Sequence, residues 1–150
     1  MVDPGGRVLL LECLDPARPA VRWWEVPGGG VEPGEDERAA AVRETLEECG
    51  TVVPLEAVGP LQWTQDATFC FRGRRHWTRC HGYLARLVGP PEQRPPSLTE
   101  AERGSVLGVR WWDPAELAAT GDRCFPASLL RVLPRMLAGE RVDEPFDRWD

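Results

Sequence analysis

A chain of 150 residues, 42% hydrophobic and carrying both signs of charge, is sized for one domain around one core. Its net charge of −6 argues against general nucleic-acid binding, which needs a basic footprint, and no apolar run nears the roughly 20 residues of a membrane span. Five cysteines without C-x-x-C spacing point away from a zinc site or a disulfide framework; with no secretory leader, they suggest reduced thiols in the cytoplasm.

Asp3-Pro4-Gly5-Gly6 is a turn signal, and Arg7 to Glu12 is a strand apolar enough to be covered on both faces. Asp15 to Ala20 reads as a loop and Val21 to Val26 as a second strand, closed by Pro27 and three glycines. A helix follows to Cys49, then a short strand around Val52 to Leu55. Leu61 to Phe71 and Trp77 to Val88 read as two longer strands, with Gly73 at the hairpin turn between them. The four prolines of residues 89–96 mark a loop, and Ser97 with Glu100 resembles a capping box for a short helix over Leu98 to Leu107. Val109 to Trp112 is a strand, and Asp113-Pro114 starts a turn of helix. Pro126 to Leu137 is amphipathic and helical. The polar tail, residues 140–150, reads as loose. The whole is an α+β chain: a mixed sheet with helices packed on it, in one domain over residues 1–150.

The informative stretch is residues 24–51. Three consecutive glycines allow a ligand to approach the main chain closely. Glu35, Asp36 and Glu37 open the helix where its dipole favours negative charge, and Gly50 stops it. Projected at ~100° per residue, Ala39, Val42, Leu46 and Cys49 share a face expected to bury against the sheet. Glu37, Ala41, Glu44, Glu47 and Glu48 share the opposite one. Neighbouring like charges on that face cost roughly 0.2–0.5 kcal/mol per pair, so a cation among them is expected, and an all-oxygen set suits Mg²⁺ or Mn²⁺. A solvated acidic face is the plainer alternative.

These residues resemble the signature of the Nudix hydrolase family, G-x5-E-x7-R-E-U-x-E-E-x-G-U, where U is a bulky aliphatic residue. Gly29, Glu35, Arg43, Glu44, Glu47, Glu48 and Gly50 fill its fixed positions, and Trp24-x-x-Pro27-Gly28-Gly29 is a typical lead-in. Thr45 and Thr51 depart from the pattern at U. The resemblance implies an α/β/α sandwich, a mixed sheet flanked by the catalytic helix and a C-terminal helix, with its usual first strand short or missing. It implies Mg²⁺ or Mn²⁺ on Glu44, Glu47 and Glu48, with the Gly29 carbonyl as a further ligand. Arg43 would pair with Glu35, and Glu44 or Glu47 would act as base. Gly28, Glu35 and Gly50 would hold the box in shape.

The implied reaction is hydrolysis of a phosphoanhydride bond in a nucleoside diphosphate linked to another group, by a cytoplasmic protein without DNA or membrane partners and compatible with a homodimer. A later carboxylate often completes the metal site in the family. Glu100 and Glu102 are candidates, and Glu102, beside Arg103-Gly104, is preferred. For the substrate, Trp24, Trp77 and Arg75 are the expected contacts, since aromatics stack on bases and arginine suits phosphate. A non-catalytic Nudix-fold nucleotide sensor is the alternative, disfavoured because every box glutamate is retained.

Overall fold

The apolar run after the first turn forms β1 (Val8–Asp15), which pairs antiparallel with β2 (Arg18–Glu25) on one side and β5 (Val106–Trp112) on the other. The computed structural model describes residues 1–149. Strand β6 (Cys124–Phe125) joins β2 in parallel, giving a sheet of order β5-β1-β2-β6. A second sheet, β4-β3-β7, is built from the hairpin of β3 (Val58–Phe71) and β4 (Arg74–Ala85), with β7 (Val142–Trp149) parallel to β3.

The pleat of β1 sends Val8 and Leu10 into a core with Trp63, Ala67, Trp112 and Val142. Leu9, Leu11 and Cys13 point the other way, toward Cys49 of the helix α1 (Glu37–Cys49). The amphipathic helix α4 (Leu129–Leu137) closes the first core through Leu129, Val132, Leu133 and Met136, with Leu117 of α3 (Pro114–Thr120) beside it. Helices thus cover opposite sides of the sheets, an α+β arrangement of mixed strands.

Several elements differ from the expectation. The region 15–20 is a tight turn at Pro16-Ala17, not a loop, because the Asp15 carboxylate accepts the Ala17 N–H at 2.9 Å and extends both strands. Residues 52–55 form no strand; Leu55–Ala57 is a 3-10 turn. The Ser97–Glu100 cap is displaced by two residues: Thr99 caps α2 (Glu100–Arg103) with Glu102 in the reciprocal position, and β5 begins at Val106. Helix α4 starts at Leu129, after a cis Phe125–Pro126 bond. The tail is ordered as β7, with Val142 and Trp149 buried; Asp150 lies outside the described residues. Buried amides fasten these parts to β3: Gln62 donates to the Met136 carbonyl and Gln65 to the Pro145 carbonyl, each at 3.0 Å.

Asp15 also joins the two sheets. It is buried and accepts the Arg72 N–H at the β3–β4 turn and the Arg18 guanidinium. Burial is the largest influence and opposes its ionisation. The Ala17 and Arg72 amides and Arg18 together outweigh it and hold the carboxyl below its ordinary range.

Candidate active site

Asp36 caps α1 by accepting from the N–H groups of Arg38 and Ala39, and Gly50 ends it at φ 64° with its N–H on the Leu46 carbonyl. A Cβ at Gly50 would stand 1.9 Å from the Arg94 carbonyl oxygen, so the loop before α2 lies directly on this cap. The two threonines at expected aliphatic positions are satisfied locally. Thr45 donates to the Ala41 carbonyl at 2.7 Å, and buried Thr51 exchanges hydrogen bonds with Gln93.

The helix buries more than the projected face, of which Cys49 is buried and Val42 packs against Val53, Val58 and Ala85. Ala40, Glu44, Thr45, Glu48 and Cys49 are buried, while Ala39, Val42 and Leu46 are only partly so. Glu44 and Glu48 therefore face inward, with 8% and 7% of their surface exposed. Periodicity separates two faces of a helix but does not say which one looks into a cavity rather than solvent.

Arg43 organises the loop side. Its Nε and Nη2 form a bidentate pair with Glu35 at 2.9 Å each, Nη2 donates to the Gly30 carbonyl at 2.9 Å, and Nη1 reaches Glu44 at 2.9 Å and Glu47 at 3.2 Å. The guanidinium holds the Glu35 carboxyl down at about 2. One cation here faces three carboxylates. Glu48 forms no bond with it and, among the described residues, accepts only the Gly28 N–H, at 2.8 Å. Burial pushes Glu48 up to about 8, and the charges of Glu25, Glu44 and Glu102 add to the shift. Gly29 closes on Glu44 so tightly that a Cβ there would lie 2.4 Å from its Oε1.

The inner side of α1 opens on a cavity of about 380 Å³ between the two sheets. Its walls are Trp23, Phe69, Phe71, Phe125 and Trp149; the carboxylates of Glu25, Glu48 and Glu102 also line it, as do Arg18 and Arg123. Glu102 lines the same space as Glu48 while its Oε2 accepts the Thr99 N–H at 2.6 Å. Glu100 does not line it. The three expected substrate contacts lie elsewhere. Trp24 turns toward the core, with its ring 4.9 Å from that of Trp112 and its N–H on Asp122. Trp77 is 61% exposed with the Arg79 guanidinium near its ring, and Arg75 bonds Thr68 on the exposed hairpin. Trp23 lines the cavity in place of Trp24 because adjacent strand residues face opposite ways. Glu25, Phe125 and Trp149 carried no sequence signal of their own.

Among the described residues no three His, Cys, Asp or Glu side chains gather as a ready metal site. Arg43 pairs with the carboxylates of Glu44 and Glu47. The donor chemistry still fits a hard divalent ion. The carboxyl groups of Glu44, Glu47 and Glu48 and the Gly29 carbonyl are all oxygen donors, and among the described residues no basic side chain pairs with Glu48.

The NUDIX domain family model matches residues 1–133. The chain belongs to the Nudix hydrolase family. It is 45% identical over 64 residues to an RNA pyrophosphohydrolase of Dinoroseobacter shibae, a stretch covering 43% of this chain and 37% of that one. It is 34% identical over 105 residues to Nudix hydrolase 25 of Arabidopsis thaliana, covering 63% and 59%. The matches thus span less than two thirds of these relatives, 37% and 59% of their lengths. The Nudix fold is also that of the E. coli ORF135 protein in solution, with a TM-score of 0.58 at 24% identity over 95% of this chain and 90% of that one.

Proposed function

We propose that residues 1–150 act as one domain that hydrolyses a phosphoanhydride bond in a nucleoside diphosphate linked to another group, with Mg²⁺ or Mn²⁺. The observation that carries this reading is that Glu48 belongs to both the acidic helix and the aromatic cavity, so phosphate chemistry and a nucleoside site share one space. Glu44, Glu47, Glu48 and the Gly29 carbonyl would hold the ion, with Glu102 on the facing wall. When bound, the ion neutralises the diphosphate and polarises its phosphoryl oxygens. Arg43 fixes the loop through Glu35 and Gly30, and Glu44 or Glu47 takes the proton from the attacking water. The aromatic walls stack the base. The name of the Dinoroseobacter relative supports a nucleotide-linked anhydride as substrate. Five unpaired cysteines support a reducing, cytoplasmic setting, and among the described residues no helix is long and apolar enough to cross a membrane.

The test is a panel of nucleoside triphosphates, dinucleoside polyphosphates, ADP-ribose and 5′-triphosphate RNA with each metal, reading phosphate and pyrophosphate release separately. Metal-dependent release from at least one is expected. Nucleotide binding without turnover of any would favour a sensor.

A further inference from the structure

Glu25 is a carboxylate in a chamber of aromatic rings. Such a placement strips an acid of water and raises its carboxyl above the ordinary range. The ionised form then needs donors to hold it, and the fold normally answers with a cation. Here it does not. Among the described residues no basic side chain pairs with Glu25; two arginines line the cavity, of which Arg18 is held by Asp15 and the Cys70 carbonyl and Arg123 makes no ion pair with Glu25. The other acids lining the cavity, Glu48 and Glu102, offer it no counter-charge. Its two partners are neutral donors: the Trp23 indole N–H on Oε2 at 2.6 Å and the Cys13 thiol on Oε1 at 3.2 Å.

These partners set what Glu25 can read. The indole is only a donor, so Oε2 is fixed as an acceptor, and the Cys13 contact fixes the plane of the carboxylate. One acceptor position remains on each oxygen. The matching ligand edge carries two adjacent N–H donors. Guanine has this edge, at N1 and the 2-amino group. Adenine and cytosine offer a donor beside an acceptor, and uracil a single donor between two acceptors. The flanking Trp23, Phe125 and Trp149 rings supply the stacking surface such a base needs.

We propose that Glu25 determines base specificity in this cavity by accepting both N–H donors of a guanine edge. The proposal rests on the reading that the cavity holds the nucleoside part of the substrate, but not on turnover. Its test is therefore equilibrium binding, by calorimetry with the full chain, of GMP, IMP, AMP and CMP. IMP differs from GMP only in lacking the 2-amino group. GMP is expected to bind about 10- to 100-fold more tightly than IMP, the range of one hydrogen bond to a charged acceptor. In Glu25→Gln, which presents an N–H₂ where an acceptor stood, that preference should vanish while IMP binding changes little. Equal binding of GMP and IMP by the unaltered protein, a preference for AMP or CMP, or no nucleotide binding would each overturn the proposal. So would a GMP preference that survives in a folded Glu25→Gln. The comparison of ligands on the unaltered protein stands even where the variant fails to fold. A GMP preference without hydrolysis of any guanine nucleotide would uphold the base reading and defeat the hydrolase reading alone.

Discussion

A methyl group added at Gly29 separates the role of the loop in catalysis from its role in stability. The Cβ of Gly29→Ala would lie 2.4 Å from Glu44 Oε1 and 2.5 Å from its Cδ. Ordinary non-bonded contact is about 3.5 Å, so the carboxylate must retreat by roughly 1 Å. Folding should tolerate this. Only the end of a side chain moves, and Gly29 is not in the left-handed region, so alanine adds no backbone strain. The expected stability change is below about 1 kcal/mol, a shift in melting midpoint of less than about 4 °C. The reaction should not tolerate it, because a misplacement of about 1 Å at a reacting centre costs on the order of 10²-fold. The assay measures kcat/KM with Mg²⁺ beside a thermal melt on the same preparation. A rate loss near 100-fold with an almost unchanged melt is expected. An unaltered rate, or a loss explained by unfolding, would refute the placement of Glu44 against this loop.

Gly50→Ala should behave oppositely. A non-glycine residue at φ 64° costs about 1–2 kcal/mol, and the clash with the Arg94 carbonyl also breaks the Arg94 N–H bond to Gly50, worth about 1 more. Urea unfolding should show a loss of roughly 2–4 kcal/mol, and a loss under about 1 would contradict the contact. For Asp15, the folded carboxyl lies below its ordinary value, so its contribution is complete above the unfolded pKa of about 3.9 and is lost as pH falls through the folded value. Asp15→Asn should therefore be less stable by about 1–2 kcal/mol near neutrality and converge with the unaltered protein toward pH 2; parallel curves would contradict it. Deleting residues 141–150 removes β7 and uncovers β3 beside Trp63 and Ala67, so loss of cooperative unfolding is expected; a truncated chain that melts as before would show that β7 contributes nothing.

The catalytic loop and helix were legible because local chemistry alone shapes them. Asp36 and Gly50 cap the helix by the usual rules, and Arg43 meets Glu35 because a turn and a helix start bring them together. Parts of two strands, Arg7 to Glu12 and Val109 to Trp112, were readable from apolar runs, whereas Val106 and Leu107 at the start of β5 read as helix. Strand β7 was not. Its interior carries Asp143, Glu144, Pro145 and Asp147, and its order comes from pairing with a distant strand and from Gln65 holding the Pro145 carbonyl. The cavity was least legible. Trp23, Phe69, Phe125 and Trp149 come from four strands, and no spacing within the sequence announces that they converge. The same limit hid the inward turn of Glu44 and Glu48, which depends on what α1 packs against.

The central claim is that the inward glutamates of α1 carry a metal-dependent hydrolysis. It is tested most directly by product release from the best substrate in the panel, with Mg²⁺ or with a chelator, for the unaltered protein and Glu48→Gln. Removing a charge that burial already disfavours should leave the melt unchanged or higher. The account predicts release that stops with the chelator and falls at least about 100-fold in the folded variant. Release that persists in Glu48→Gln at the original rate, or that ignores the chelator, would contradict it.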